Sequence, residues 1–285
     1  MTLPNFLVIG SPKCATTAIC SHLDAHPQIC FSKPKETFYF CWEKFHDRGL
    51  DWYRSCFAHH ASEPAIGEGT TLYSCIETFP LMLGRITETL DNPKIVFCVR
   101  QPFERMQSYF IEMRSQGQTM KTFAEDLHAN TEYVDGSMYG RTYDAYASAF
   151  GADRIHCVFY DDFKADAAAS MSRLFAFLDV DPGFVPDAIG GRIYGSAGKR
   201  EDRPLVNLFR RYLPGFDAIR NAAPGSLRSA AKKYLKTPIE GPPEWDDASY
   251  AWAAEQVSAD VRRFLEQHNR HDLITPWLES PSASN

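Results

Sequence analysis

The chain has 285 residues, enough for one large α/β domain or two small ones. Its 44% hydrophobic and 23% charged residues are ordinary globular values, and a formal net charge of -6 excludes a nucleic-acid binder by composition. No apolar run approaches the roughly 18 residues of a membrane span, and Met1 to Asn5 is not a basic stretch leading into a long apolar one, so no signal peptide is read and the expected compartment is the cytoplasm.

The first predicted element is a buried strand over Phe6 to Ile9, ended by Gly10. A helix over Thr16 to His26 follows, stopped by Pro27. Lys94 to Val99 reads as a second buried strand, and Phe103 to Arg114 as a helix opened by Pro102, which suits a first helical turn. A third strand is expected over Arg154 to Tyr160. An amphipathic helix over Ala167 to Leu178 carries Met171, Leu174, Phe175 and Leu178 on one face. Gly190 to Pro204 reads as a loop, Asp246 to His268 as a closing helix, and Pro281 to Asn285 as a polar tail. Strands alternating with helices imply a parallel sheet with helices on both faces, in one domain over 1–285.

Between 199 and 236 stand ten Lys or Arg, opposed only by Glu201, Asp202 and Asp217. This stretch reads as a basic, helical subdomain over 199–245, as an acceptor-side segment for an anionic glycan, as a peripheral contact with an anionic membrane surface, or as a solvated helical face. The eight cysteines all precede residue 158 and none has CxxC spacing, so buried, reduced thiols are expected and no metal site.

Chemistry enters at the turn Gly10-Ser11-Pro12-Lys13-Cys14-Ala15-Thr16-Thr17. A turn from a buried strand into a helix gathers free backbone N–H groups and the positive helix end at one point, where phosphate-like anions bind. Lys13 adds a positive charge, and Thr16 and Thr17 add hydroxyls. The order is close to a P-loop but departs from it: Lys13 comes early, and the residue directly after it is Cys14 rather than the Ser or Thr that would hold Mg²⁺. The second strand is followed by Arg100-Gln101-Pro102-Phe103-Glu104-Arg105-Met106-Gln107-Ser108-Tyr109, where a guanidinium fork and a hydroxyl two turns into a helix can converge on one anion. Between these motifs lies Lys33-Pro34-Lys35-Glu36-Thr37-Phe38-Tyr39-Phe40, in which Pro34 breaks any helix and lets Glu36 project from extended chain.

Gly-x-x-Lys-x-x-Thr-Thr resembles the 5′-phosphosulfate loop of sulfotransferases that use 3′-phosphoadenosine-5′-phosphosulfate (PAPS). With His26-Pro27 after it, it is similar to the heparan-sulfate and bacterial carbohydrate branch of that family. Arg-x-Pro-x-x-Arg-x-x-Ser-x-Tyr resembles the family's 3′-phosphate motif. Gly49-Leu50-Asp51-Trp52-Tyr53, Gly67-Glu68-Gly69-Thr70-Thr71-Leu72-Tyr73 and Asp272-Leu273 with Trp277 resemble further family segments.

The resemblance implies a sulfotransferase fold and sulfuryl transfer to an acceptor hydroxyl or amine on a carbohydrate, glycolipid or glycosylated metabolite. It implies PAPS as donor and no metal requirement. Lys13 is then a catalytic and donor-binding residue, with Cys14, Ala15, Thr16, Thr17, Arg100 and Ser108 completing the nucleotide site and Glu36 as general base. Gly195-Ser196-Ala197-Gly198-Lys199-Arg200 is the family's closing basic loop, with Lys199 and Arg200 reaching the 3′-phosphate. Glu68, Tyr39 and Trp52 are the candidate acceptor contacts. Two other readings stay open here: a P-loop kinase of a small molecule, which would require Mg²⁺ and ATP, and a nucleotide-binding adaptor without catalysis.

Overall fold

The computed structural model describes residues 2–187, 189, 200–202, 236–239 and 241–278, with the backbone alone for 200–202, 236 and 237. The expected alternation is present. In chain order it runs β1 (Phe6–Gly10), α1 (Thr16–Asp24), β2 (Ile29–Phe31), α2 (Glu43–His46), α3 (Gly49–Ser55), β3 (Ala65–Gly69), a 3₁₀ turn at Thr71–Ser74, α4 (Met82–Thr89), β4 (Lys94–Val99), α5 (Pro102–Gln116), α6 (Phe123–Ala129), α7 (Glu132–Asp135), α8 (Tyr139–Phe150), β5 (Ile155–Phe159), α9 (Tyr160–Ala165) and α10 (Ala167–Phe177). Strands β6 (Arg200–Asp202) and β7 (Lys236–Pro238), then helices α11 (Asp247–Gln267) and α12 (Ile274–Leu278), complete the described chain.

Strands β1 to β5 form one parallel sheet in the order β2-β3-β1-β4-β5. Strands β1 and β4 are central and almost wholly apolar, because both faces of the sheet are covered. Leu7, Ile9, Ile95, Phe97 and Val99 point into one core, shared with α5, α8 and α11. Phe6, Val8, Val96, Cys98 and Val158 point into the other, shared with α1 and α10. This is the period-two alternation of a strand, read here as a division between two apolar layers.

Connections diverge on either side of β1: the chain goes to β2 and β3 on one side, then to β4 and β5 on the other. The loop after β1 and the loop after β4 therefore part company at the carboxyl edge of the sheet, the place where open parallel sheets form ligand crevices. Helix α5 starts there, with the Gln101 side chain accepting from Glu104 N at 2.6 Å and Pro102 at the first helical position, and it ends at Gly117, whose φ of 69° suits a left-handed cap. Away from the main sheet, β6 and β7 pair antiparallel, and β6 lies beside α5.

Candidate active site

The loop after β1 is forced into its shape by close contacts. Gly10 has a φ of 126°, and a Cβ there would lie 2.2 Å from the Thr71 carbonyl oxygen. Lys13 and Ala15 both take left-handed backbone conformations, with φ of 73° and 60°. Ala15 is the residue before α1, so the N–H groups of Thr16 and Thr17 belong to a first turn that precedes the helical hydrogen-bond ladder. The Ser11 hydroxyl in the same loop is buried and has no partner among the described residues.

From Pro12 onward, Cys14 apart, the loop opens on a cavity of about 720 Å³, in the size range of a ligand site. Its lining includes Lys13, Ala15, Thr16 and Thr17 from the loop, Glu36 from the segment after β2, and Arg100 and Ser108 from the end of β4 and from α5. The three motifs thus meet, although they lie far apart in sequence. Lys13 Nζ reaches Glu112 Oε2 of α5 at 2.7 Å. Arg100 pairs with Glu104 Oε2 at 2.7 Å, stacks its guanidinium 4.6 Å from the Tyr160 ring, and its carbonyl accepts from Tyr139 Oη at 2.6 Å. Glu36 lies 3.1 Å from Lys35 Nζ, and the Thr71 hydroxyl donates to it at 3.5 Å.

Not every expected site residue reaches the cavity. Cys14 turns the other way: its thiol is buried in the core shared with α1, its N–H donates to Ser11 O at 3.2 Å, and burial pushes its pKa up to about 11. Cys14 is not part of the cavity lining, and its N–H is taken up within the loop.

Glu68, Tyr39 and Trp52 are also absent from the lining. Glu68 is fully buried beneath it and accepts from Thr37 Oγ1 at 2.5 Å, Tyr53 Oη at 3.0 Å and Thr70 Oγ1 at 3.3 Å. Burial pushes its carboxyl up to about 7 against those hydrogen bonds. Phe38 has a left-handed φ of 54°, which swings Tyr39 inward to stack on Tyr53 with centroids 4.4 Å apart. Trp52 packs on Phe45 and carries Arg48 over its ring. Phe38 and Trp42, stacked with centroids 4.4 Å apart, supply the aromatic wall instead. Lys199 lies outside the described residues, and Arg200 falls in β6 with its side chain outside them.

Some neighbours have structural work. Arg105 is fully buried and donates to Ser137 Oγ at 2.8 Å and to the Glu132 and Tyr133 carbonyls, so it faces away from the cavity. His26, just past α1, ties that helix to the segment after α10 on the same face of the sheet through Asp181 O at 3.0 Å. His59 and His60 bond the Phe31 and Glu63 carbonyls. Sequence reasoning named Trp42 among the possible stacking faces, and missed Glu104, Glu112, Glu132, Tyr160 and Phe38 as cavity residues. The i,i+4 spacing of Arg100 and Glu104 was a readable signal, whereas Glu112 is brought to Lys13 only by the fold.

The fold and the geometry define a parallel α/β protein with a strand-to-helix loop opening on a cavity at the switch point of its sheet. The sulfotransferase domain family matches residues 3–188, and the chain belongs to that family. A membrane-associated sulfotransferase, kil1, of Dictyostelium discoideum is 29% identical over 159 residues, covering 53% of this chain and 32% of that protein. The bifunctional heparan sulfate N-deacetylase/N-sulfotransferase 2 of Homo sapiens is 26% identical over 202 residues, covering 63% of this chain and 22% of that protein. The chain therefore spans about a third or less of the length of these relatives. A sulfotransferase from Alicyclobacillus acidocaldarius shares the fold, with a TM-score of 0.60 and 22% identity over 80% of this chain and 100% of that one. Among the described residues, no helix is long and apolar enough to cross a membrane.

Proposed function

We propose that the protein transfers a sulfuryl group from PAPS to a hydroxyl or amine of a carbohydrate-type acceptor, with Glu36 as general base. The observation that carries this reading is the convergence of Lys13, the start of α1, Arg100, Ser108 and Glu36 on one cavity. The donor set suits a nucleotide with two anionic groups: the N–H groups of Thr16 and Thr17 with Lys13 can take one, and the Arg100 fork with Ser108 the other. Carbohydrate is favoured as acceptor by the heparan sulfate relative and by the aromatic wall of Phe38 and Trp42. A reducing, cytoplasmic location is part of the reading, supported by eight cysteines that are all free thiols.

In the reaction Glu36 takes the proton from the acceptor oxygen or nitrogen as that atom bonds to sulfur. The bond from sulfur to the 5′-phosphate oxygen breaks, and its electron pair leaves with the nucleotide. Lys13 stands where that charge develops and stabilises it. Lys35 and Thr71 hold the Glu36 carboxylate in place before the proton arrives.

Calorimetry with the product nucleotide 3′-phosphoadenosine-5′-phosphate (PAP), without Mg²⁺ and alongside ATP, tests the donor site. Tight metal-independent binding of PAP, weakened at least tenfold by Lys13→Ala or Arg100→Ala and not matched by ATP, is the expected result. A preference for ATP with Mg²⁺ would replace this reading with the kinase one.

A further inference from the structure

Glu36 and Phe38 line the cavity from a stretch of chain between β2 and α2 that is neither helix nor strand. Main-chain N–H groups in such a stretch need acceptors from elsewhere. Those of Phe38, Tyr39 and Phe40 each find a hydroxyl: Thr70 Oγ1 at 3.3 Å, Thr37 Oγ1 at 3.3 Å and Tyr73 Oη at 3.2 Å. The three hydroxyls lead to one buried carboxyl. Thr37 and Thr70 donate to Glu68 Oε2 at 2.5 Å and 3.3 Å, and Tyr73 Oη lies 3.3 Å from Thr37 Oγ1. Tyr53 donates to Glu68 Oε1 at 3.0 Å.

The protons of this network can be placed without conflict, because each hydroxyl has one to give. Thr37 and Thr70 direct theirs at Glu68, Tyr73 directs its own at Thr37, and each of the three accepts one N–H of the segment above. All the donors then point toward Glu68. When the carboxyl takes a proton on Oε1, that proton faces Tyr53, and Oε2 still accepts from both threonines. Glu68 itself is fixed in β3, in register with Leu7 of β1. Thr71, just beyond Thr70, carries the hydroxyl that reaches Glu36.

A buried carboxyl is a weak source of stability, since apolar groups of its size often serve as well. What it supplies here is a fixed place for the chain above it. The ion pair of Glu36 with Lys35 is partly exposed, so the place of the Glu36 carboxylate depends on the main chain that carries it. We propose that Glu68 is a positioning residue for the base: through Thr37, Thr70 and Tyr73 it fixes the main chain over 38–40, and so holds Glu36 toward the acceptor and Phe38 in the cavity wall. This rests on the sulfuryl-transfer reading above. Glu68 is outside the lining and acts through the chain rather than on the substrate. A displacement of the base by about 1 Å is enough to slow a reaction about 10²-fold.

The test uses the full chain with labelled PAPS, and follows label passing to a chito-tetrasaccharide, to a heparosan tetrasaccharide and to water. PAP affinity is measured by calorimetry, and hydrogen exchange by mass spectrometry on peptides covering 36–40 and 94–99. Thr37→Val is expected to lower kcat at least tenfold on whichever acceptor is used best, with the KM for PAPS and the PAP affinity within threefold. The 36–40 peptide should exchange at least tenfold faster while 94–99 does not change. Glu68→Met should do the same, and Glu68→Gln, whose amide oxygen can replace Oε2, should recover at least a third of the wild-type kcat. Thr37→Val leaves Glu68 in place and decides the matter if Glu68→Met does not fold. In a Glu36→Gln background Thr37→Val should lower kcat less than twofold further, because its effect passes through the base. A smaller loss of kcat in Thr37→Val overturns the proposal. So does a loss of equal size with and without the Glu36 carboxylate, or exchange that quickens equally over 94–99, since either marks a purely structural role; the donor reading then stands. Absence of PAP binding overturns both.

Discussion

Replacing Glu68 by Gln should flatten the dependence of stability on pH. The wild-type carboxyl is buried, and its pKa is pushed from 4.5 to about 7. Below about pH 4.5 it is protonated in both the folded and the unfolded chain and contributes nothing to the balance. Between 4.5 and 7 the folded chain keeps a proton that the unfolded chain has released, so stability falls as pH rises. Above 7 the whole penalty is present. At about 1.4 kcal/mol per pH unit the penalty is about 3 kcal/mol, most of it falling between pH 5 and 8. Gln has nearly the same shape and cannot ionise, and the hydroxyls of Thr37, Tyr53 and Thr70 can turn to bond either of its ends. His156, with its pKa lowered to about 4 by burial, and the lowered His22 and His268 act in the opposite sense, but they do so in both proteins and cancel in the comparison. Urea unfolding followed by tryptophan fluorescence at pH 5, 6, 7 and 8 reads the difference directly. The variant should gain about 2–3 kcal/mol on the wild type between pH 5 and 8. Parallel curves for the two proteins would show that Glu68 does not carry the dependence.

Glu36→Gln should lower kcat for sulfuryl transfer about 10²–10⁴-fold, because the acceptor proton loses its base, while the affinity for PAP in calorimetry stays the same. Glu112→Gln should tighten PAP binding several-fold, since Lys13 no longer has to leave a carboxylate at 2.7 Å; unchanged or weaker binding would argue against Lys13 as an anion ligand. Gly10→Ala should cost at least about 3 kcal/mol in urea unfolding, from a backbone strained at φ 126° and from a Cβ driven against the Thr71 carbonyl.

The central strands were legible because each is an uninterrupted apolar run. Lys94–Val99 is a strand to the residue, and the helices after it and at the C-terminus end within two residues of their expected bounds. Strands β2 and β3 were not legible. Ile29–Phe31 is only three residues long, and Ala65–Gly69 has glycines where a strand propensity would want branched side chains. The structure gives the reason for one of them: the ring of Phe6 lies over Gly67, where a Cβ would meet its Cζ at 2.0 Å.

Legibility of the site followed the same division. Lys13, Arg100 and Ser108 could be found because strand ends and helix starts mark their places, and Glu36 because Pro34 excluded a helix. The acceptor side could not. Which rings of Phe38, Tyr39, Trp42 and Trp52 face the cavity depends on one left-handed residue, Phe38, and nothing in an aromatic run announces it. The stretch over 199–236 was legible in charge, and most of it lies outside the described residues.

The contact of Lys13 with Glu112 joins residues that are 99 apart in sequence, and it also joins the two layers of the molecule. Lys13 rides on the loop that feeds α1, which packs on one face of the sheet, whereas Glu112 rides on α5, which packs on the other. The pair therefore works as a mechanical clasp across the end of the sheet. On the reading proposed above, an anion that takes Lys13 would open this clasp and loosen one tie between the loop after β1 and the later turns of α5.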